Sequence, residues 1–295
     1  MSGFRIIYNA KEHIKFIDEI FSSTNKDNKY GIGYPRCDNF NELVSEIEVY
    51  ENTIDKSICL IFHEENLIGV GGFLYTEGDS TGYFIGPLMK KEYHTTENVK
   101  EIINLIIKNS TYNFKLLISV TLEENVVLNQ AFLEDGWTYK NTQREMCFDI
   151  NEGEREVKYS IKEMDRSELE GNEEIFQILN KTFKWEDDRE NYEELLREEY
   201  KTGCVFDKNK KIIGLVVWAF LQDVKFSRLE YLVVDKKFRG RGIGESMINY
   251  VINDSRAMEK IYLSTDIKNN AANLYSKVGF YDTVVSNIYA KSFNE

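Results

Sequence analysis

The feature that most limits what this chain can become is the repetition of its own element order. Ile68-Gly69 lies in an apolar hairpin turning at Glu64-Glu65-Asn66, and Ile213-Gly214 lies in a second hairpin turning at Lys208-Asn209-Lys210. These pairs are 213 − 68 = 145 positions apart. Gly136-Trp137 and Gly279-Phe280 each follow a late helical stretch, 279 − 136 = 143 positions apart. Either pair alone recurs by chance; both, in the same element order, mark a tandem duplication. With 295 residues and roughly 150 residues per domain, there is room for two domains. We place them at 1–150 and 151–295, divided in the charged stretch Asn151-Glu152-Gly153-Glu154-Arg155-Glu156.

Each half opens with a short strand and two helices: Phe4–Tyr8, Lys11–Phe21 and Asn41–Glu51, then Val157–Ile161, Glu173–Lys184 and Asn191–Tyr200. A hairpin follows, Ile58–His63 with Leu67–Tyr75 and Cys204–Asp207 with Ile212–Leu221. Only then do strands alternate with helices. The next strands are Gly82–Met89 and Leu229–Val234, and the last run from Trp137 to Ile150 and from Phe280 to Ala290. The expected fold class is therefore α/β with a mixed sheet in each of two tandem domains, antiparallel first and then with a parallel crossover.

Composition removes several alternatives. Apolar residues make up 42% of the chain, enough for sizeable cores, and disorder is excluded. The longest apolar run, Ile212–Leu221, is half the ~20 residues of a spanning helix. The N-terminal segment lacks the pattern of a secretory signal. Cys37, Cys59, Cys147 and Cys204 form no CxxC and read as reduced thiols, which with the missing signal suggests the cytoplasm. His13, His63 and His94 stand at no zinc spacing, so no metal is expected. A net charge of −13 repels phosphate backbones over most of the surface and suits a cationic small molecule. Neither nucleic acid nor membrane is an expected partner, and the chain is read as a monomer or homodimer.

The sharpest local signal runs from Leu229 to Met247. An apolar strand, Leu229–Val234, enters a turn with glycine at positions 240, 242 and 244, and an amphipathic helix leaves it. Such glycines let backbone N–H groups approach a ligand closely, and the helix N-terminus adds unpaired N–H groups and a positive dipole end. Lys236, Lys237, Arg239 and Arg241 add full charges. The combination is a pyrophosphate cradle. A dinucleotide GxGxxG would need glycine where Glu245 stands, and no Gly-Lys-Ser/Thr ends the turn, so neither of those phosphate motifs fits. Downstream, Tyr275 lies on a short helix closed by Gly279.

At these residues the sequence resembles the Gcn5-related N-acetyltransferase (GNAT) superfamily. The family's coenzyme A motif, Arg/Gln-x-x-Gly-x-Gly/Ala, is matched by Arg239, Gly242 and Gly244, with Val234 five residues before the arginine. The later pattern is matched by Ala271, Leu274, Tyr275, Gly279 and Phe280, with Asn269 or Asn270 for the family's asparagine. The resemblance is strong over 158–292 and architectural over 1–150; tandem arrangements with one worn half occur in the family.

The resemblance implies acetyl-coenzyme A as donor and an acyltransferase acting by direct attack of a primary amine. The diphosphate would lie on Arg239, Gly240, Arg241, Gly242, Ile243 and Gly244, with Glu245 and Ser246 in the first helical turn. The pantetheine arm would run along Leu232, Val233 and Val234, and Asn270 and Tyr275 would face the cofactor. Tyr275 is the candidate general acid at the sulfur and Glu230 the candidate base, with Asp235 or a water chain ending on Glu186 or Asp187 as alternatives. For the acceptor, Trp185, Glu186 and Asp187 offer an aromatic ring beside carboxylates, suited to a cation. The same residues also fit a helix first turn. A coenzyme A-binding sensor without catalysis, a hydroxyl acceptor, or another acyl group are the competing readings.

The first half lacks the cradle. After Gly82–Met89 comes Lys90-Lys91-Glu92-Tyr93-His94-Thr95-Thr96, with no glycine between positions 86 and 136, and Phe132 stands where Tyr275 stands in the second half. This half is expected not to bind coenzyme A. His94 reads as an exposed lone histidine, Trp137, Phe280 and Cys204 as core, and Gly31-Ile32-Gly33-Tyr34-Pro35 as a turn that can serve as a lid.

Overall fold

The computed structural model describes residues 3–37, 39–151, 153–185, 189–197, 199–221 and 225–293. They form two compact units, one of residues 1–143 with 284–295, the other of residues 144–283. The units are thus not the consecutive halves expected from the sequence. The final strand belongs to the first unit, and the strand that closes the first half of the chain ends in the second.

In the first unit the strands are β1 (Phe4–Ile7), β2 (Ile32–Tyr34), β3 (Ile58–His63), β4 (Asn66–Leu74), β5 (Thr81–Met89), β6 (Leu116–Leu122) and the start of β7 (Thr138–Asp149). The helices are α1 (Ile14–Asn25), α2 (Phe40–Val49), α3 (Ile54–Ser57), α4 (Thr96–Lys108) and α5 (Val126–Glu134). The second unit holds β8 (Lys162–Glu163), β9 (Tyr200–Phe206), β10 (Ile212–Leu221), β11 (Phe226–Val234), β12 (Lys260–Asp266) and the start of β13 (Tyr281–Ser292). Its helices are α6 (Arg166–Leu169), α7 (Glu173–Phe183), α8 (Glu190–Glu194), α9 (Ile243–Asp254) and α10 (Ala271–Val278). Among the described residues no helix is long and apolar enough to cross a membrane.

The sheets repeat one plan. In the first unit β1-β3-β4-β5 is antiparallel and β6 joins β5 in parallel. In the second, β8-β9-β10-β11 is antiparallel and β12 joins β11 in parallel. Each sheet is continued by a strand from the other half of the chain: Ser286–Ser292 of β13 pairs with β6, and β7 lies beside β12.

Both parallel pairs part early. Thr81–Tyr83 pair with Leu116–Ile118, and Phe226–Arg228 with Lys260–Tyr262; beyond these the strands continue unpaired with each other to Met89 and Leu122, and to Val234 and Asp266. In the first unit the gap is filled. Ile32 and Tyr34 of β2 pair with Thr121 and Val120 of β6. Because β13 occupies the other edge of β6 along its whole length, β2 takes the edge that β5 leaves. The segment expected to be a turn and lid is therefore a strand.

The second unit's sheet lies between two apolar cores. Leu229, Ile261 and Leu263 face Ile243, Met247 and Val251 of α9 and Tyr275 of α10. Leu215, Val217, Tyr231 and Val233 face Ile175, Phe176 and Leu179 of α7. Trp137, Phe280 and Cys204 are buried, as expected. Two local expectations fail. No strand forms over 157–161, where β8 covers only Lys162–Glu163, and α8 ends at Glu194 rather than continuing to Tyr200, which instead begins β9.

Candidate active site

Three features converge at the carboxyl end of β11. The first is a bulge. Val217 of β10 pairs with Tyr231 but its neighbour Trp218 pairs with Leu229, so Glu230 is the extra residue. A bulge shifts the alternation of a strand and re-aims its side chains. Here Leu229 joins the core under α9 while Tyr231 joins the one under α7. Glu230 is ion-paired with Arg228, and burial raises its carboxyl pKa above the usual value despite that guanidinium.

The second feature is the loop between β11 and α9. Arg239 turns back and its Nε donates to the Val234 carbonyl at 3.0 Å, closing the end of the strand. Gly240 and Gly242 have φ of +75° and +84°, and a Cβ at either would point into open space. α9 starts at Gly242 with no side-chain cap, so its first N–H groups are free of side-chain acceptors. Gly244 serves close packing instead: a Cβ there would meet Leu274 Cδ2 at 2.9 Å and Val234 Cγ2 at 3.7 Å. That contact joins the end of β11, the start of α9 and α10. These residues fit a diphosphate: open space over two glycines and an uncapped helix start.

The third feature is the gap between β11 and β12. At its root lies a cavity of about 130 Å³ bordered by Arg228, Leu229, Glu230, Tyr262, Leu263, Ser264 and Glu145. A larger cavity of about 700 Å³ lies beside the loop on the α7 side, floored by Ile212–Leu215 and Val233 and rimmed by Lys181, Lys211, Lys236, Lys237 and Arg239. Among the described residues no group of His, Cys, Asp and Glu is placed to hold a metal.

Residues 172–280 match the model of the Acetyltransferase (GNAT) family. That segment, which holds β11, the loop, α9 and α10, is a GNAT-family domain. A GCN5-related N-acetyltransferase from Sphaerobacter thermophilus superposes with a TM-score of 0.64 at 12% identity, covering 98% of this chain and 96% of that one. A tandem GNAT protein of clavulanic acid biosynthesis superposes with a TM-score of 0.55 at 9% identity, covering 99% of both chains. A GNAT-family acetyltransferase from Colwellia psychrerythraea gives 0.54 at 13% identity, with coverage of 98% and 99%. No curated protein sequence matches significantly. The fold is thus two tandem GNAT-like domains.

The residues singled out in the sequence fall unequally within this GNAT domain. Arg239, Gly240, Arg241, Gly242, Ile243 and Gly244 form the loop and helix start, with Leu232, Val233 and Val234 leading into it. Ser246 points inward, and its hydroxyl accepts from the Tyr159 N–H at 3.0 Å. Glu245 is held by Lys277 at 2.6 Å. Asn270 precedes α10 without a side-chain cap bond, whereas Asn269 Oδ1 accepts from the Ala271 N–H at 3.0 Å. Tyr275 is buried against Phe280, and burial pushes its hydroxyl pKa up to about 12. Trp185 packs on Tyr231, next to Glu230, with ring centres 5.5 Å apart. Glu186 and Asp187 lie outside the described residues. Sequence reading missed Glu145 and Tyr262, because nothing local reveals which strands border a gap, and Arg228, whose i+2 spacing to Glu230 was a usable signal.

The first GNAT-like unit differs at each of these points. α4 is capped by Thr95, whose Oγ1 accepts from the Asn98 N–H at 3.3 Å. Phe132 is fully buried and stacked on Tyr289. His94, expected to be exposed, is buried: its Nε2 lies 3.0 Å from Asn125 Oδ1, and Asn125 Nδ2 donates to the Gly31 carbonyl at 2.9 Å. That chain of contacts anchors β2 in the gap.

Proposed function

We propose that the second unit is an N-acetyltransferase that moves an acetyl group from acetyl-coenzyme A to a primary amine of a small cationic acceptor. The observation that carries this reading is the coincidence, on one strand, of a bulged carboxylate, parted neighbours and a glycine-started, uncapped helix. Bound acetyl-coenzyme A would supply the acyl group as a thioester open to amine attack. Arg239–Gly244 and the start of α9 hold its diphosphate with N–H groups and positive charge, and the edge of Leu232–Val234 turned away from β10, which β12 leaves open, meets the amides of the pantetheine arm.

Glu230 takes the proton from the acceptor nitrogen. A carboxyl group with a raised pKa is a better base for an ammonium group than an ordinary one. Tyr275, whose high pKa keeps it protonated at neutral pH, holds the proton destined for the sulfur. The net charge of −13 and the Trp185–Tyr231 wall favour a cation over nucleic acid or an anionic membrane as partner.

We further propose that the first unit binds no coenzyme A. Ile32–Tyr34 fills the gap the arm would need, and Thr95 already caps the helix that would meet the phosphates. The cytoplasm is the proposed location. The test is thiol release from acetyl-coenzyme A with a panel of amines and alcohols. Amine-dependent release supports the reading; tight coenzyme A binding with no release for any acceptor rejects it in favour of a sensor.

A further inference from the structure

We propose that Glu145 is a second acceptor-binding carboxylate, so that the acceptor is a short aliphatic amine carrying a second cationic nitrogen. This rests on acetyl transfer at Glu230 and names the substrate class of that site. Glu145 borders the 130 Å³ cavity at the root of the β11–β12 gap together with Glu230, Arg228 and Tyr262. Strand alternation explains the meeting. Leu229, Leu263 and Met146 are buried in the core under α9, so the residues beside them, Glu230, Tyr262 and Glu145, face the other way.

The charges in the cavity do not balance. Arg228 is committed to Glu230, and its Nη2 donates to the Tyr200 hydroxyl at 3.3 Å. The Glu145 carboxylate accepts from the Thr283 hydroxyl, a neutral donor, and its charge acts on the Tyr262 hydroxyl, and among the described residues no Lys or Arg forms an ion pair with it. One negative charge is therefore left over beside the attacking position. The nitrogen that reacts must lose its proton to Glu230 and cannot neutralise Glu145. A second, still protonated nitrogen can. A carboxylate-bearing acceptor is disfavoured by the same charge. The volume is about four times the share of one liquid water, room for a short alkyl chain.

The test uses the full chain with acetyl-coenzyme A and three acceptors: 1,4-diaminobutane, butylamine and 4-aminobutyrate. We expect kcat/KM for the diamine to exceed that for butylamine by about tenfold or more, the scale of one charge-assisted hydrogen bond. In Glu145→Gln that preference collapses through a raised KM for the diamine, while coenzyme A affinity measured by calorimetry stays put; Glu145→Asp keeps most of the preference. Equal use of diamine and butylamine by the unaltered protein, or a preference that survives Glu145→Gln, overturns the inference and leaves acetyl transfer standing. Thiol release with no amine at all overturns both.

Discussion

Arg228 and Glu230 pair with each other two positions apart on β11, at the residue the bulge adds. The pair is tethered beyond itself. Arg228 Nη2 donates to the Tyr200 hydroxyl at 3.3 Å, and that hydroxyl donates to Glu194 Oε1 of α8 at 3.3 Å. The guanidinium favours the charged carboxylate, yet burial outweighs it and the carboxyl pKa is raised. Glu230 is thus a carboxylate held in place, partly desolvated and more basic than an exposed glutamate.

This sets the pH dependence. A base works only when ionised, so kcat/KM should rise with pH through a midpoint above the ordinary value of 4.5. Removing the cation in Arg228→Gln should move that midpoint further up. Glu230→Gln should lower kcat/KM by roughly 10²- to 10⁴-fold and abolish the acidic limb. A limb that survives Glu230→Gln would assign the base to another group, Asp235 first.

Tyr275→Phe should keep the packing against Phe280, because only the hydroxyl is lost. Turnover should then fall by roughly 10²-fold or more, with coenzyme A affinity nearly unchanged. Steady-state kinetics and calorimetry on the same preparation separate the two effects. Undiminished turnover removes Tyr275 as the acid.

His94 gives the first unit a pH-sensitive stability. Burial lowers its pKa below the ordinary 6.5 of histidine, and the Asn125 hydrogen bond only partly opposes this. The unfolded chain therefore binds the proton first. The contribution is complete above pH 6.5 and is lost as pH falls from there through the folded pKa, by at most about 1.4 kcal/mol per pH unit. Denaturation of the full chain between pH 7.5 and 5 should show this slope, and His94→Asn should flatten it. An equal slope in both proteins would place the proton uptake elsewhere.

Much of the fold was legible because its signals are local. The hairpins at Ile68-Gly69 and Ile213-Gly214 and the glycines at 240, 242 and 244 report backbone needs of their own positions. The parting of the strands recurs at matching places, Thr81 to Phe226 being 145 positions and Leu116 to Lys260 being 144. What stayed hidden depends on distant partners. β7 and β13 read as strands whichever sheet they join, so their exchange leaves no mark in the sequence. Two glycines and a proline disguised Ile32–Tyr34 as a turn, because its pairing partner is some ninety residues away on β6. His94 looked exposed since its cover comes from Tyr30 and Asn125. Glu145 looked like an ordinary strand carboxylate for the same reason.

The most direct measurement is a calorimetric titration of the chain with coenzyme A, repeated on Gly242→Val. Gly242 sits at φ +84°, where valine is strained, and its Cβ would enter the open space over the loop. We predict one coenzyme A per chain for the unaltered protein and no measurable binding for Gly242→Val, with the variant still folded by circular dichroism. Two molecules per chain, or full affinity in Gly242→Val, would contradict the placement of a single donor site at Arg239–Gly244.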